Sequence, residues 1–144
     1  MFTYIRNNTV TGADLGAFQH IVNYRFQLTT RTTSNETIAS ALANNYILET
    51  NLDSRGFWGV TRPPSSGTYY FIKNANSSSN TDTYYEPNSK LLGLVLGFNS
   101  NPYAGTYSDH EFAFTCVADG LTTTESQNLR TSVITFQTAL SRNV

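Results

Sequence analysis

From His20 to Thr30 apolar and polar positions alternate, with Val22, Tyr24, Phe26 and Leu28 on one side and Asn23, Arg25, Gln27 and Thr29 on the other. Period two marks a half-buried strand. Leu15, Phe18 and Val22 also fit a helical face, but the alternation runs longer, and Tyr, Phe and Val favour sheet. A short helix is expected next, capped by Ser34 or Asn35 and running to Asn44. Its signals are Ile38 and Leu42, four residues apart, and the helix formers Ala39, Ala41 and Ala43. Tyr46 to Glu49 then returns to strand.

The second half alternates short apolar segments with turn chemistry. Phe57 to Thr61 reads as a strand ended by Pro63 and Pro64, which cannot donate to a ladder. Thr68 to Lys73 is a strand, and the polar tract Asn74 to Asn80 reads as a loop. Leu91 to Phe98 is apolar at nearly every position and predicts a strand covered on both faces. Residues 99–106 read as a loop, and Glu111 to Ala118 as a strand with Phe112, Phe114 and Cys116 on one face. Short strands at this spacing predict an antiparallel β-sandwich.

The last segment differs in kind. Thr122-Thr-Thr-Glu125 is a capping box, opening a helix over about 122–141. Leu129, Val133, Phe136 and Leu140 recur on one face, while Gln127, Arg130, Ser132, Gln137 and Ser141 lie opposite. This amphipathic helix is expected to bury its apolar stripe on the sheet, so that an aspartate at position 136 would cost several kcal/mol, about the penalty of an unpaired buried charge.

Composition narrows the classes. The chain of 144 residues fits one domain, 1–144, and its 21 Thr, 14 Ser and 15 Asn give it a polar but weakly charged surface. Nine Tyr, nine Phe and one Trp argue against disorder. A formal net charge of -1, with basic residues scattered from Arg6 to Arg142, offers no cluster for phosphates, so nucleic acid is not an expected partner. The longest apolar run, Leu91 to Phe98, is far short of the roughly 20 residues of a membrane span. No cleavable export signal is visible at the start of the sequence. Cys116 stands alone, without a disulfide or thiolate metal cage, and its strand setting suggests an inert buried thiol.

The stretch Tyr107 to Arg142 resembles the C-terminal part of concanavalin A-like lectin/glucanase (LamG-like jelly-roll) domains of tailed-bacteriophage structural and fibre proteins. The likeness rests on the Phe-Ala-Phe strand at 112–114, the turn Asp119-Gly-Leu-Thr122, the acidic helix start and the closing Phe136-Gln-Thr-Ala-Leu-Ser-Arg142. Upstream, Arg55 to Arg62, Tyr69-Tyr-Phe71 and Leu92 to Asn99 are similar to the preceding strands. The resemblance covers residues 55–144, with 1–54 a divergent N-terminal part. It implies a mainly β jelly roll closed by a C-terminal helix. It also implies a non-enzymatic virion protein, a decoration, spike or fibre-tip subunit. Such a subunit assembles as a homo-oligomer with copies of itself and other virion proteins, and reaches host-surface glycans. The alternatives are a free-standing, extracellular carbohydrate-binding module and, less favoured, a glycoside hydrolase.

The candidate chemistry is sparse. Glycosidases of this architecture carry two carboxylates about 5–5.5 Å apart for retention, and the required acidic motif is missing. Asp109-His110-Glu111 is the nearest approach and reads as a solvated rim. Calcium through Asp82 or Asp109 lacks the alternating Asp/Asn loop that such a site needs, so no metal or cofactor is expected. The sequons at Asn7, Asn35 and Asn76 arise at the frequency expected by chance in a chain this rich in Asn, Ser and Thr. Glycan or partner contact calls for aromatic platforms with amides beside them. The candidates are Trp58, Tyr84, Tyr85, Asn99, Asn101 and Tyr103, with Trp58 reading more readily as core and the loop residues equally suited to a protein partner.

Overall fold

The computed structural model describes residues 1–10, 14–19, 24–82, 95–100 and 103–144. It is mainly β, with two sheets and one C-terminal helix, an arrangement consistent with a sandwich. The strands are β1 (Phe2–Ile5), β2 (Leu15–Gln19), β3 (Tyr24–Thr29), β4 (Glu36–Ala43), β5 (Ile47–Thr50), β6 (Gly56–Thr61), β7 (Thr68–Lys73), β8 (Asn76–Thr81), β9 (Val95–Ser100), β10 (Tyr103–Tyr107) and β11 (Phe112–Cys116), followed by α1 (Thr123–Ala139). One sheet has the order β11-β1-β6-β7-β8. The other has β10-β9-β2-β3-β4-β5, built on the antiparallel run from β2 to β5. Every pairing is antiparallel except β2 with β9.

The sheets face one another across a core to which the five-stranded sheet gives Ile5, Trp58, Val60, Tyr69 and Phe71, and the other gives Leu15, Leu28, Ala39, Ala41 and Ala43. A second core lies on the outer side of the five-stranded sheet, where Phe2, Tyr4, Phe57 and Ile72 meet Val133 of the helix. Strand β6 serves both cores and is buried at every position.

Several expectations from the sequence need correction. Residues 36–43 form a strand, not a helix. Ala39, Ala41 and Ala43 share one face of β4 and join the core that holds Trp58, Tyr69 and Phe71, where small residues leave room for large ones opposite. The tract from Asn74 to Asn80 is not a loop throughout: Asn74, at φ 51°, helps turn the chain, and β8 then pairs along the whole of β7 as a polar edge strand. Residues 99–106 likewise contain the end of β9 and most of β10.

In β11 the three residues expected on one face are split. Tyr4 pairs with Phe114 but Ile5 with Phe112, so Ala113 is left out of the ladder as a bulge. Phe112 packs on the inter-sheet core, whereas Phe114 and Cys116 pack on the helix side. Of the expected strands, His20 to Thr30 and Leu91 to Phe98 are described only from Tyr24 and Val95 onward; residues 20–23 and 91–94 lie outside the described residues.

The helix begins as expected. The Thr122 hydroxyl accepts from the Glu125 amide while the Glu125 carboxylate accepts from the Thr122 amide. Its buried line, however, is Ser126, Val133 and Gln137, with Leu129 and Ile134 partly covered. Phe136 is 58% exposed, so the expected core penalty for an aspartate there does not apply. Gln137 takes the inward place because its Nε2 donates to the carbonyl of Ala113, the residue that the bulge withdraws from the β1 ladder. The hydrophobic spacing identified the helix but placed its buried face partly on the wrong residues.

Candidate functional site

A cleft of about 360 Å³ opens at one end of the sandwich. Its walls include Phe26 of β3, Ala41 and Leu42 of β4, Arg62 and Pro64 after β6, and Asp119 in the turn before the helix. The β4 wall is irregular because Arg25 pairs with Ala43 and Phe26 with Ala41, leaving Leu42 as an inserted residue. Leu42 has φ 52°, in the left-handed region that leucine rarely adopts. Strain of this kind persists only where surrounding contacts hold it. Here the Leu42 carbonyl accepts from Arg62 Nη1 at 2.9 Å.

Arg62 is nearly buried, donates also to Gly67 O at 3.3 Å, and has its guanidinium carbon 5.4 Å from the centre of the Tyr69 ring. Carbonyl acceptors at both terminal nitrogens and an aromatic ring over its flat face allow this guanidinium to be buried. The adjoining turn from β4 to β5 is held from outside the sheet. Asp82 accepts from the amides of Asn44 and Asn45, and the Tyr69 hydroxyl donates to Asn45 O. On the opposite wall, Thr61 Oγ1 donates to Leu121 O and accepts from Leu121 N at 2.9 and 2.8 Å. Those two bonds fix the turn carrying Asp119 against the end of β6. The cleft therefore has an apolar floor, a clamped cation in one wall and an exposed carboxylate on the rim.

A second polar cluster centres on two buried side chains. The His110 and Asp14 side chains are both inaccessible to solvent and form a short Nδ1 to Oδ1 contact. Asp14 also accepts from Ser108 Oγ at 2.8 Å and, through its other oxygen, from the amide and hydroxyl of Thr30. His110 Nε2 lies 3.0 Å from the carbonyl of Thr9. A carbonyl can only accept, so Nε2 carries a proton, and the carboxylate at Nδ1 favours a second. Burial pushes the imidazole pKa down, but the Asp14 hydrogen bond and charge, the Thr9 carbonyl and the charge of Asp109 together hold it above 6.5.

Although Ser, His and Asp meet here, the arrangement is not that of a nucleophilic triad. Ser108 and Asp14 address the same ring nitrogen, and the other faces main chain instead of a hydroxyl to be activated. The cluster ties residues 9 and 14 to the segment before β11. Asp109 and Glu111, on either side of His110, are exposed, and the Glu111 amide donates to Asn7.

Of the described sequence candidates, Trp58 stands in the five-stranded sheet, and Asn99 and Tyr103 stand in the other. Trp58 belongs to the core: it is 0% exposed, donates its indole N–H to Ser54 O at 2.8 Å and stacks on Phe71, so it presents no face to a sugar. Asn99 falls in β9, and Tyr103 opens β10, where it pairs with Ser100. Tyr84, Tyr85 and Asn101 lie outside the described residues. Of the cleft residues, the Asp-Gly at 119–120 could have been suspected from its turn chemistry. Nothing in the sequence marks Leu42, whose backbone conformation depends on the register of β3 with β4. Asp14 and His110 are 96 positions apart and carry no shared motif.

Among the described residues no three His, Cys, Asp or Glu side chains come together to hold a metal, and no helix is long and apolar enough to cross a membrane. No protein-family model, curated protein or solved structure matches the chain.

Proposed function

We propose that the protein is a non-enzymatic structural subunit of a bacteriophage particle, in the class of decoration, spike or fibre-tip proteins, with a concanavalin A-like jelly-roll body. In this reading it meets other virion proteins and copies of itself, resides in the virion, and touches host-surface glycans through its loops. The observation that carries the reading is the order of its closing segment. Strand β11, the turn at 118–121 and the capped helix succeed one another in the order that the resemblance implies, with the helix lying on the outer face of a two-sheet stack. Four passages between the sheets, from β1 to β2, β5 to β6, β8 to β9 and β10 to β11, support a two-sheet jelly roll. The surface, rich in Thr, Ser and Asn and poor in charge, suits a subunit packed among neighbours as well as one exposed to sugars.

The deciding experiment is to separate phage particles from soluble protein on a density gradient and probe both fractions with antibody to this chain. The chain is expected in the particle band, and the purified protein as a symmetric oligomer by light scattering. A monomer confined to the soluble fraction would overturn the virion assignment. The cleft favours a second reading, that of a free-standing carbohydrate-binding module. Under that reading the isolated monomer binds sugar on a glycan array. Polysaccharide turnover lost in Glu111→Gln would instead identify a glycoside hydrolase.

A further inference from the structure

The geometry points to the cleft between the Leu42 bulge and the Asp119 turn as a binding site for a neutral sugar of one or two rings. This rests on the reading of the protein as a glycan-contacting one, and names cleft residues that the sequence did not suggest. At about 360 Å³ the space stands near the lower end of small-molecule sites. It suits a short saccharide end and not a chain threaded through a long groove.

The lining decides the chemistry. Phe26, Leu42 and Pro64 offer apolar surface for the C–H face of a pyranose. The exposed Asp119 carboxylate is an acceptor for hydroxyl hydrogens, and one carboxylate can take two neighbouring hydroxyls. An anion is disfavoured, because Arg62 directs N–H groups to the carbonyls of Leu42 and Gly67 while Asp119 stands at the rim. Arg62 and Asp119 bring charges of opposite sign to the lining, which suits an uncharged ligand better than an anion.

The walls are also built before any ligand arrives. The left-handed Leu42 is held by Arg62, the Asp119 turn by Thr61, and the β4 to β5 turn by Asp82. A site whose loops are already fixed loses little conformational entropy on binding.

The test is amide-resolved NMR titration of the full chain with glucose, galactose, N-acetylglucosamine, maltose and lactose, each to tens of millimolar, alongside choline as a cationic probe. The expected result is a saturable shift of the Ala41, Leu42, Gly120 and Leu121 amides by at least one sugar and none by choline. Asp119→Ala should weaken that sugar roughly tenfold, the worth of a hydrogen bond to a charged group. Ala118→Trp, at an exposed rim position, should block it sterically, with an unchanged thermal midpoint in both variants showing that the fold survives. Sugar-dependent shifts confined to other loops would overturn this site and leave glycan contact standing. Silence towards every sugar would overturn both, and binding of choline in place of sugar would overturn the assignment of ligand class.

Discussion

Gly120 packs directly on the main chain of Arg62: a Cβ at position 120 would stand 1.7 Å from the Arg62 carbonyl oxygen and 2.6 Å from its carbonyl carbon. Neither atom can move aside without breaking the end of β6. Gly120→Ala should therefore destabilise the fold by about 1–3 kcal/mol, as overpacking against fixed neighbours does. Gly67→Ala is the control, since its Cβ would meet only Asp82 O at an ordinary 3.6 Å, and its stability should stay within about 1 kcal/mol of the parent. Urea denaturation of both variants checks the contrast; equal midpoints would refute the close approach.

The His110 and Asp14 pair predicts a defined pH dependence. Folding raises the imidazole pKa above 6.5, so the folded chain holds the proton more tightly than the unfolded chain. The resulting stabilisation is complete below the unfolded value and disappears as pH rises through the folded value. The denaturation midpoint should fall over that upper window, and His110→Gln should flatten the decline. An identical slope in both proteins would count against the pair. Asp14→Ala, which leaves the buried imidazolium without its carboxylate, should cost about 3–5 kcal/mol.

The helix offers a pair of substitutions that separate its spacing from its actual docking. Val133 is buried against the sheet, whereas Phe136 is largely exposed. Val133→Asp should cost about 3 kcal/mol or more by burying an unpaired charge, while Phe136→Asp should stay within about 0.5 kcal/mol, the usual range at the surface. Equal losses in thermal denaturation would mean that the helix lies on the face marked by Phe136 and Leu140.

The helix start can be tested by Thr122→Ala. This removes the side-chain acceptor for the Glu125 amide and should cost about 1 kcal/mol, the usual value of an N-cap. In the parent, the Thr122 amide, then its hydroxyl, hold the Glu125 carboxyl below its ordinary value. The reciprocal contact is therefore present above the unfolded carboxyl pKa and fades as pH falls through the lower folded one. An NMR titration of Glu125 should show its midpoint rise in the variant; an unmoved midpoint would rule out the hydroxyl's bond to the Glu125 carboxylate.

What the sequence disclosed follows from signals that are local in the chain. The strands at Phe57 to Thr61 and Thr68 to Lys73 and the cap at Thr122 were readable because short apolar runs, proline punctuation and a three-residue spacing report on nearby backbone. Residues 36–43 were misread because alanine satisfies two demands at once: it favours an isolated helix, and it fits opposite Trp58, Tyr69 and Phe71 on the facing sheet. Only the partner sheet decides between them. Strand β8 was missed because an edge of serine and asparagine has little apolar alternation to detect. At the cleft, the turn at Asp119-Gly120 was visible as a turn, but its neighbour Leu42 comes from a different sheet, 77 positions earlier in the chain. The Asp14 and His110 contact likewise depends on assembly of the whole molecule.

Strand β6 directs Phe57 toward the helix and Trp58 and Val60 toward the opposite sheet, so one stretch of backbone is common to both interiors. Peeling the helix away would loosen the very ribbon on which the other interior is built, and neither half has an independent foundation. The three layers should consequently melt in a single sigmoidal step, with the β6 amides the last to exchange for deuterium.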